Sequence, residues 1–309
     1  MLQMLKTGIH LPRGNLMELS SRFVGTPLKD YHTEITWRQT MNFAAAVDDH
    51  NAYYVDDERE GGIIAPPLFS VAVTWRILER IWEYIEAKEF PMEVLMTQVH
   101  HTESLEFHRP LRPGDRLTVK GRVAAILPHR AGTRVVMRFD ALVEADEPVF
   151  TEHIGALMRG VKCSDDGLCP NRLPEGLLLE ESAEPLWESR IPIDPLRPHI
   201  YDGCTDIVFP IHTSRAFARQ VGLPGNILQG TATLAFAVRE IINRESGGDP
   251  LALKSIFCRF TGMVFPGTVI RVQLLGKSGK DKGTNLHFIV LNQEGQKAIS
   301  GGYAFLKKE

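Results

Sequence analysis

The stretch FHRPLRPGDRLTVKGRV, Phe107 to Val123, returns in altered form as CRFTGMVFPGTVIRVQLLG, Cys258 to Gly276. In both, an apolar run enters a Pro-Gly turn and leaves it as an alternating strand pattern. Pro113-Gly114 answers Pro266-Gly267, 153 residues further on. Upstream, GGIIAPPLFSVAVTWRILERIWEYIEA answers PGNILQGTATLAFAVREIINRES, with Ile63 set against Ile227 at a spacing of 164. A repeat this long means a duplicated domain, because solenoid units run only ~20–50 residues.

Each half reads as one long helix followed by four strands. The strands are expected at 93–109, 115–127, 133–146 and 149–162, and again at 254–264, 268–276, 284–292 and 296–306. Connections as short as RPGD, HRAG and NQEGQK favour antiparallel pairing. The helices LFSVAVTWRILERIWEYI and TATLAFAVREIINRE carry little polar surface, so each must be wrapped. An antiparallel sheet curled around one helix, twice over, satisfies this, and the fold class is α+β. The expected boundaries are a first domain at 1–162, a Pro-, Gly- and acid-rich linker at 163–190, and a second domain at 191–309.

Composition narrows the function. A length of 309 residues suits two domains, and 43% apolar with 24% charged residues is ordinary for a globular chain. The net charge of −3 comes with interspersed signs and no basic cluster, so no nucleic-acid partner is expected. Four cysteines fit neither a zinc spacing nor a disulfide framework, so reduced thiols are expected. Neither a signal peptide nor a membrane span is read, and a cytoplasmic location is expected. Adjacent His100 and His101 would face opposite sides of a strand, which makes a poor metal site, and no metal is expected.

Chemistry concentrates in DIVFPIHTSRAFARQVGLPGNILQG, Asp206 to Gly230. A histidine beside a proline precedes a glycine that opens an apolar helix. Histidine suits proton transfer near neutrality, and a helix start offers free N–H groups to a developing anion. With AVDDHNAYYVDDE, GGIIAPPLF and FHRPLRPGDRLTV in the first half, this stretch resembles the MaoC-like, R-specific enoyl-CoA hydratase and dehydratase family in its double-hotdog form. The resemblance covers roughly residues 30–162 and 190–307.

That family carries Gly-Asp-x-Asn-Pro-(Ile/Leu)-His, whose Asp and His handle one water, and a later Ile-Leu-His-Gly whose backbone N–H holds the thioester oxygen. Here Pro210 and His212 match, but Ile207 and Phe209 stand at the Asp and Asn positions. Gln229 replaces the later histidine and Gly230 is kept. The first half is complementary: Asp49 and Asn51 match, while Ala52 and Tyr54 replace Pro and His. YDGCTDIVFPIH is also similar to the C-terminal part of mesaconyl-type hydratases, which depart from Asp-x-Asn as well.

The resemblance implies a hydro-lyase acting on an acyl-CoA thioester, with no cofactor beyond the coenzyme A of the substrate. His212 is the expected acid/base and Gly230 the oxyanion donor, with Asp206 and Ser214 as candidate catalytic partners. Gln229, Arg259, Asp49 and Asn51 are candidate substrate-binding residues, and Lys254 is a further candidate for the phosphates. Chemistry is expected in the second half, with the acyl tail reaching into the first, and a homodimer is possible. Two other readings remain: a degenerate acyl-CoA or acyl-carrier binding protein, and a hotdog thioesterase. The thioesterase reading is weakened because no acid falls early in either helix.

Overall fold

The computed structural model describes residues 17–176, 184–279 and 282–308. Among the described residues twelve strands run in chain order: β1 (Glu18–Leu19), β2 (Tyr31–Glu34), β3 (Gln98–Phe107), β4 (Arg116–His129), β5 (Gly132–Leu142), β6 (Pro148–Arg159), β7 (Lys162–Cys163), β8 (Trp187–Pro192), β9 (Leu253–Phe260), β10 (Val269–Ser278), β11 (Gly283–Leu291) and β12 (Lys297–Lys307). Ten of them form one sheet in the order β2-β4-β5-β6-β3-β9-β12-β11-β10-β8. β1 and β7 form a separate parallel pair.

The large sheet is two five-stranded sheets joined edge to edge. β3 pairs antiparallel with β9, placing Thr102 opposite Arg259 and Ser104 opposite Phe257. Joining the halves here removes the two edges that would otherwise expose unpaired backbone groups. A central helix lies in each half, Phe69–Leu78 in the first and Gly230–Glu245 in the second. Thr231 to Val238 are all buried, as the apolar surround of that helix requires. It ends at Ser246, where Gly247 and Gly248 take positive φ angles and the Gly248 N–H returns to the Ile242 carbonyl. One buried apolar core runs through both halves. This is the double hotdog that the repeat predicts.

Each half also holds elements outside the expected pattern. An edge strand, β2 or β8, leads into a flanking helix, Trp37–Ala46 or Arg197–Thr205. β8 begins at Trp187, inside the expected 163–190 linker, because its pairing with β10 extends the sheet. The strand expected to start at 93 begins at Gln98, after a 3-10 turn over Met92–Thr97.

Backbone hydrogen bonds fix how the repeats correspond. The Ala65 N–H reaches the Leu111 carbonyl at 2.8 Å, and the Leu228 N–H reaches the Val264 carbonyl at 2.8 Å. The Ile64 N–H bonds the Tyr53 carbonyl at 2.9 Å, and the Ile227 N–H bonds the Ile211 carbonyl at 3.3 Å. Ile64, rather than Ile63, is therefore the counterpart of Ile227, and the counterpart of Gly230 is Pro67. The sequence alignment is corrected by one residue. Composition alone could not set this register, since both halves have two branched residues in the turn.

Candidate functional site

The segment from Phe209 to Gly230 lays down the site. Pro210 opens a single helical turn, Pro210–Thr213, its missing N–H costing nothing at that position. His212 follows inside this turn. Its Nδ1 lies 2.9 Å from the Ile227 carbonyl oxygen. A carbonyl only accepts, so Nδ1 carries the proton and Nε2 keeps a lone pair. The Asn226 side chain donates to the His212 carbonyl at 2.9 Å and ties the two segments together. Desolvation pushes the His212 pKa down to about 4, against a smaller opposing effect of the bond to Ile227. The imidazole is therefore neutral near pH 7, with a proton-accepting nitrogen.

Three residues beyond Ile227, Gly230 opens the second central helix. At ~3.5 Å per extended residue, the His212 anchor lies within about 10 Å of that helix start. Gln229 makes no side-chain cap, so its amide leaves the first N–H groups of the helix uncovered. These groups and the helix dipole favour negative charge. A Cβ added at Gly230 would meet the Phe260 ring at 3.1 Å, so glycine lets the helix start sit close on that ring.

The first half cannot offer the same chemistry. Tyr54, at the place of His212, is fully buried, and Pro66-Pro67 stand where Gln229-Gly230 open the other helix. Proline has no N–H, so the oxyanion donor is gone. Asp49 is buried, and burial raises its pKa. It accepts from the Asn51 N–H at 3.2 Å, while Asn51 caps the turn at Tyr53 and donates to the Gly248 carbonyl at 2.7 Å. The two matching residues of the first motif thus hold a turn and its contact with the second half. They are not brought to His212.

Asp206 is also elsewhere. It ends the flanking helix in the left-handed conformation, φ 57°, and pairs with Arg76 of the first central helix at 2.5 Å. Asp48 is its counterpart: it has φ 50° and sits under Arg239 of the second central helix, which donates to the Val47 and Asp48 carbonyls. Each central helix therefore grips the helix cap of the other half, and Asp206 serves this clamp. Ser214 caps the next helix by accepting from the Phe217 N–H at 3.2 Å. Gln229 is buried, its Nε2 donating to the Pro198 carbonyl at 3.0 Å.

Arg259 lies over the Phe257 ring at 5.3 Å, while the neighbouring Cys258 faces the buried Glu103. Strand alternation thus puts Arg259 on the outer face of the sheet, away from both central helices. Lys254 lines a cleft beside Pro66, Pro67, Phe107 and Leu253, at the first half's helix start. A second cleft runs between the halves, from Thr205 and Cys204 along Phe69, Val73 and Arg76. His100 and His101 do face opposite sides: His100 packs at a tilt against Phe260, and His101 lies by His129 on the outer face. Among the described residues no group of His, Cys, Asp and Glu could hold a metal ion.

Fold and site together define a double hotdog of the hydratase and dehydratase class, in which the second half alone keeps both the motif histidine and the helix-opening glycine. Residues 22–152 match the family model described as FAS1-like, dehydratase domain region, and residues 181–297 match the MaoC like domain. The chain belongs to the MaoC-like hydratase and dehydratase family. It is 34% identical over 99 residues to the peroxisomal multifunctional enzyme type 2 of Drosophila melanogaster, covering 32% of this chain and 16% of that one. It is 42% identical over 65 residues to the peroxisomal enoyl-CoA hydratase 2 of Arabidopsis thaliana, covering 21% of each. The matches thus span a fifth or less, roughly, of those proteins' own lengths. The MaoC-like dehydratase of Phytophthora capsici superposes with a TM-score of 0.79 at 21% identity, over 93% of this chain and 98% of that one.

Proposed function

We propose that the protein reversibly adds water to a 2-enoyl-CoA or related thioester, using His212 as the base and the Gly230 N–H as the oxyanion donor. The observation that carries this reading is the bond from His212 Nδ1 to the Ile227 carbonyl. It leaves Nε2 as an acceptor close to a helix start that only the second half keeps open.

In the hydration direction Nε2 takes a proton from water and the water oxygen bonds to C3. The C2–C3 π pair moves toward C1, and negative charge gathers on the thioester oxygen at the helix N-terminus. The electron pair returns to form a C2–H bond with the proton held by His212. One water is consumed and no proton is left over, so a single base closes the cycle. Ile207, at the acid's position, is buried and apolar, and supplies nothing to the water. The named activities of the relatives support the reaction class.

Purified protein incubated with enoyl-CoAs, crotonyl and mesaconyl included, is expected to consume the conjugated thioester absorbance. Folded protein that turns over none of them would favour an acyl-thioester binding role, for which the apolar Ile207 and Phe209 are the motivating residues. Release of free thiol would instead indicate a thioesterase.

A further inference from the structure

A second histidine, supplied by the first half, stands beside the same helix start. β3 and β6 lose one residue of register between His100 and Thr102. Without this bulge His100 and Glu103, three apart, would face opposite sides of the sheet. With it, both face the helices, and His100 Nε2 lies 3.2 Å from Glu103 Oε2. The His100 ring packs against Phe260, centroids 4.5 Å apart with the planes tilted by 57°, and 24% of its side chain is exposed. Phe260 is the ring that meets Gly230.

Behind His100 the network continues. Glu103 and Glu152 are fully buried and close enough to act on each other, and Glu152 lies beside Thr74 on the first central helix, while among the described residues no side-chain donor reaches either carboxylate. Burial raises both carboxyl pKa values, Glu103 to about 8, and Glu152 is raised further by Glu103. Two neutral carboxyl groups can hydrogen-bond to each other, and Glu103 can donate to the His100 lone pair. Desolvation keeps His100 neutral, with a pKa of about 4. Burying two acids and a histidine in a core costs free energy even when they are neutral, and such buried titratable groups mark candidate functional positions. The chain of contacts Thr74, Glu152, Glu103, His100, Phe260, Gly230 runs from one central helix to the start of the other.

We propose that His100 is a positioning residue for the thioester site, fixing Phe260 against Gly230 so that the helix-start N–H meets the thioester oxygen, with the Glu103–Glu152 pair as its support. The site of the second half is then incomplete without the first. This rests on the hydratase reading above and deepens it.

Kinetics of His100→Ala and His100→Phe on an enoyl-CoA that the wild type hydrates, beside His212→Ala, test the proposal. His100→Ala is expected to lower kcat 10-fold or more with KM within about 3-fold, because a displaced donor stabilises the transition state less than the bound substrate. His100→Phe keeps an aromatic ring against Phe260 and should restore most of kcat. Phe260→Leu should share the defect, and adding it to His100→Ala should cost little more, since both act through one contact. Full kcat in His100→Ala, or a loss that His100→Phe does not relieve, overturns the positioning role while leaving the His212-dependent hydratase standing. Folded wild type that hydrates no enoyl thioester overturns both.

Discussion

At the scale of single residues, His212 and His100 are held neutral by desolvation, as are the carboxyl groups of Glu103 and Glu152. For His212 this has a kinetic consequence. In the proposed reaction its working form is the free base, and its pKa is lowered to about 4 from 6.5. The acid limb of kcat/KM is therefore expected near pH 4 rather than 6.5, measured on an enoyl-CoA from pH 3.5 to 8. A limb at 6.5 would mean an exposed, unperturbed imidazole. His212→Ala should lose roughly 10²- to 10⁴-fold in kcat, the usual weight of one general base. For Glu103 the consequence is thermodynamic. Its folded pKa is raised above its unfolded value, so its stabilising contribution is complete below about 4.5 and is lost as pH rises toward about 8. The slope across that window is on the order of 1.4 kcal/mol per pH unit at most. Glu103→Gln, which cannot ionise, should melt higher than wild type at pH 8 and lose that advantage at pH 5. Asp206 gives a contrasting expectation. Its pair with Arg76 is half exposed, so Asp206→Ala should cost less than about 1 kcal/mol and leave turnover within 2-fold.

At the scale of elements, the decisive object is the first turn of the second central helix. Gln229 has φ −58° and ψ 136°, which suits a following proline, and proline is accepted at the first helical position. Gly230→Pro should therefore fold, while removing the one N–H the chemistry needs, and kcat should fall about 10²-fold or more. Gly230→Ala is the control: it brings a Cβ to the same 3.1 Å contact with Phe260 but keeps the N–H. Equal losses in the two variants would assign the effect to crowding. This turn was legible in the sequence, because a histidine, a proline and a helix-opening glycine stand at fixed spacing. Other features were not. The bulge at His100 has no glycine or proline within β3, and the glycine beside it, Gly155, lies on the partner strand opposite Thr102, so strict alternation along β3 gave no reason to join His100 to Glu103. Asp206 looked like a displaced acid because sequence shows proximity along the chain only, whereas its left-handed backbone turns the carboxylate toward Arg76. Arg259 was legible as a cation but not as one on the outer face, since the facing of β9 depends on its pairing with β3.

At the scale of the whole molecule, the halves are joined by the β3–β9 ladder, by a shared apolar core and by arginine grips: Arg76 on Asp206, Arg239 on the carbonyls of Val47 and Asp48, and Arg197 on the Ala46 carbonyl and the Asp48 carboxylate. None of these passes through the segment between the domains. A specific protease site placed within 177–183 and cut after folding should leave the fragments co-eluting, with enoyl-CoA turnover intact. Separation of the fragments would mean that the covalent connection holds them together. The α+β class and the duplication were readable from the repeat, because a Pro-Gly turn followed by alternation survives divergence. The flanking helices and edge strands were not, being short and amphipathic enough to pass for loops. No helix among the described residues is long and apolar enough to cross a membrane.

The paired prolines at 66 and 67 also set how far the first half stands from its twin. To carry an imidazole and an open helix start like those of the second half, it would need Tyr54 and both prolines replaced together. A change at either place alone leaves the two halves unequal, so the asymmetry of the molecule is written in several separate positions rather than in one.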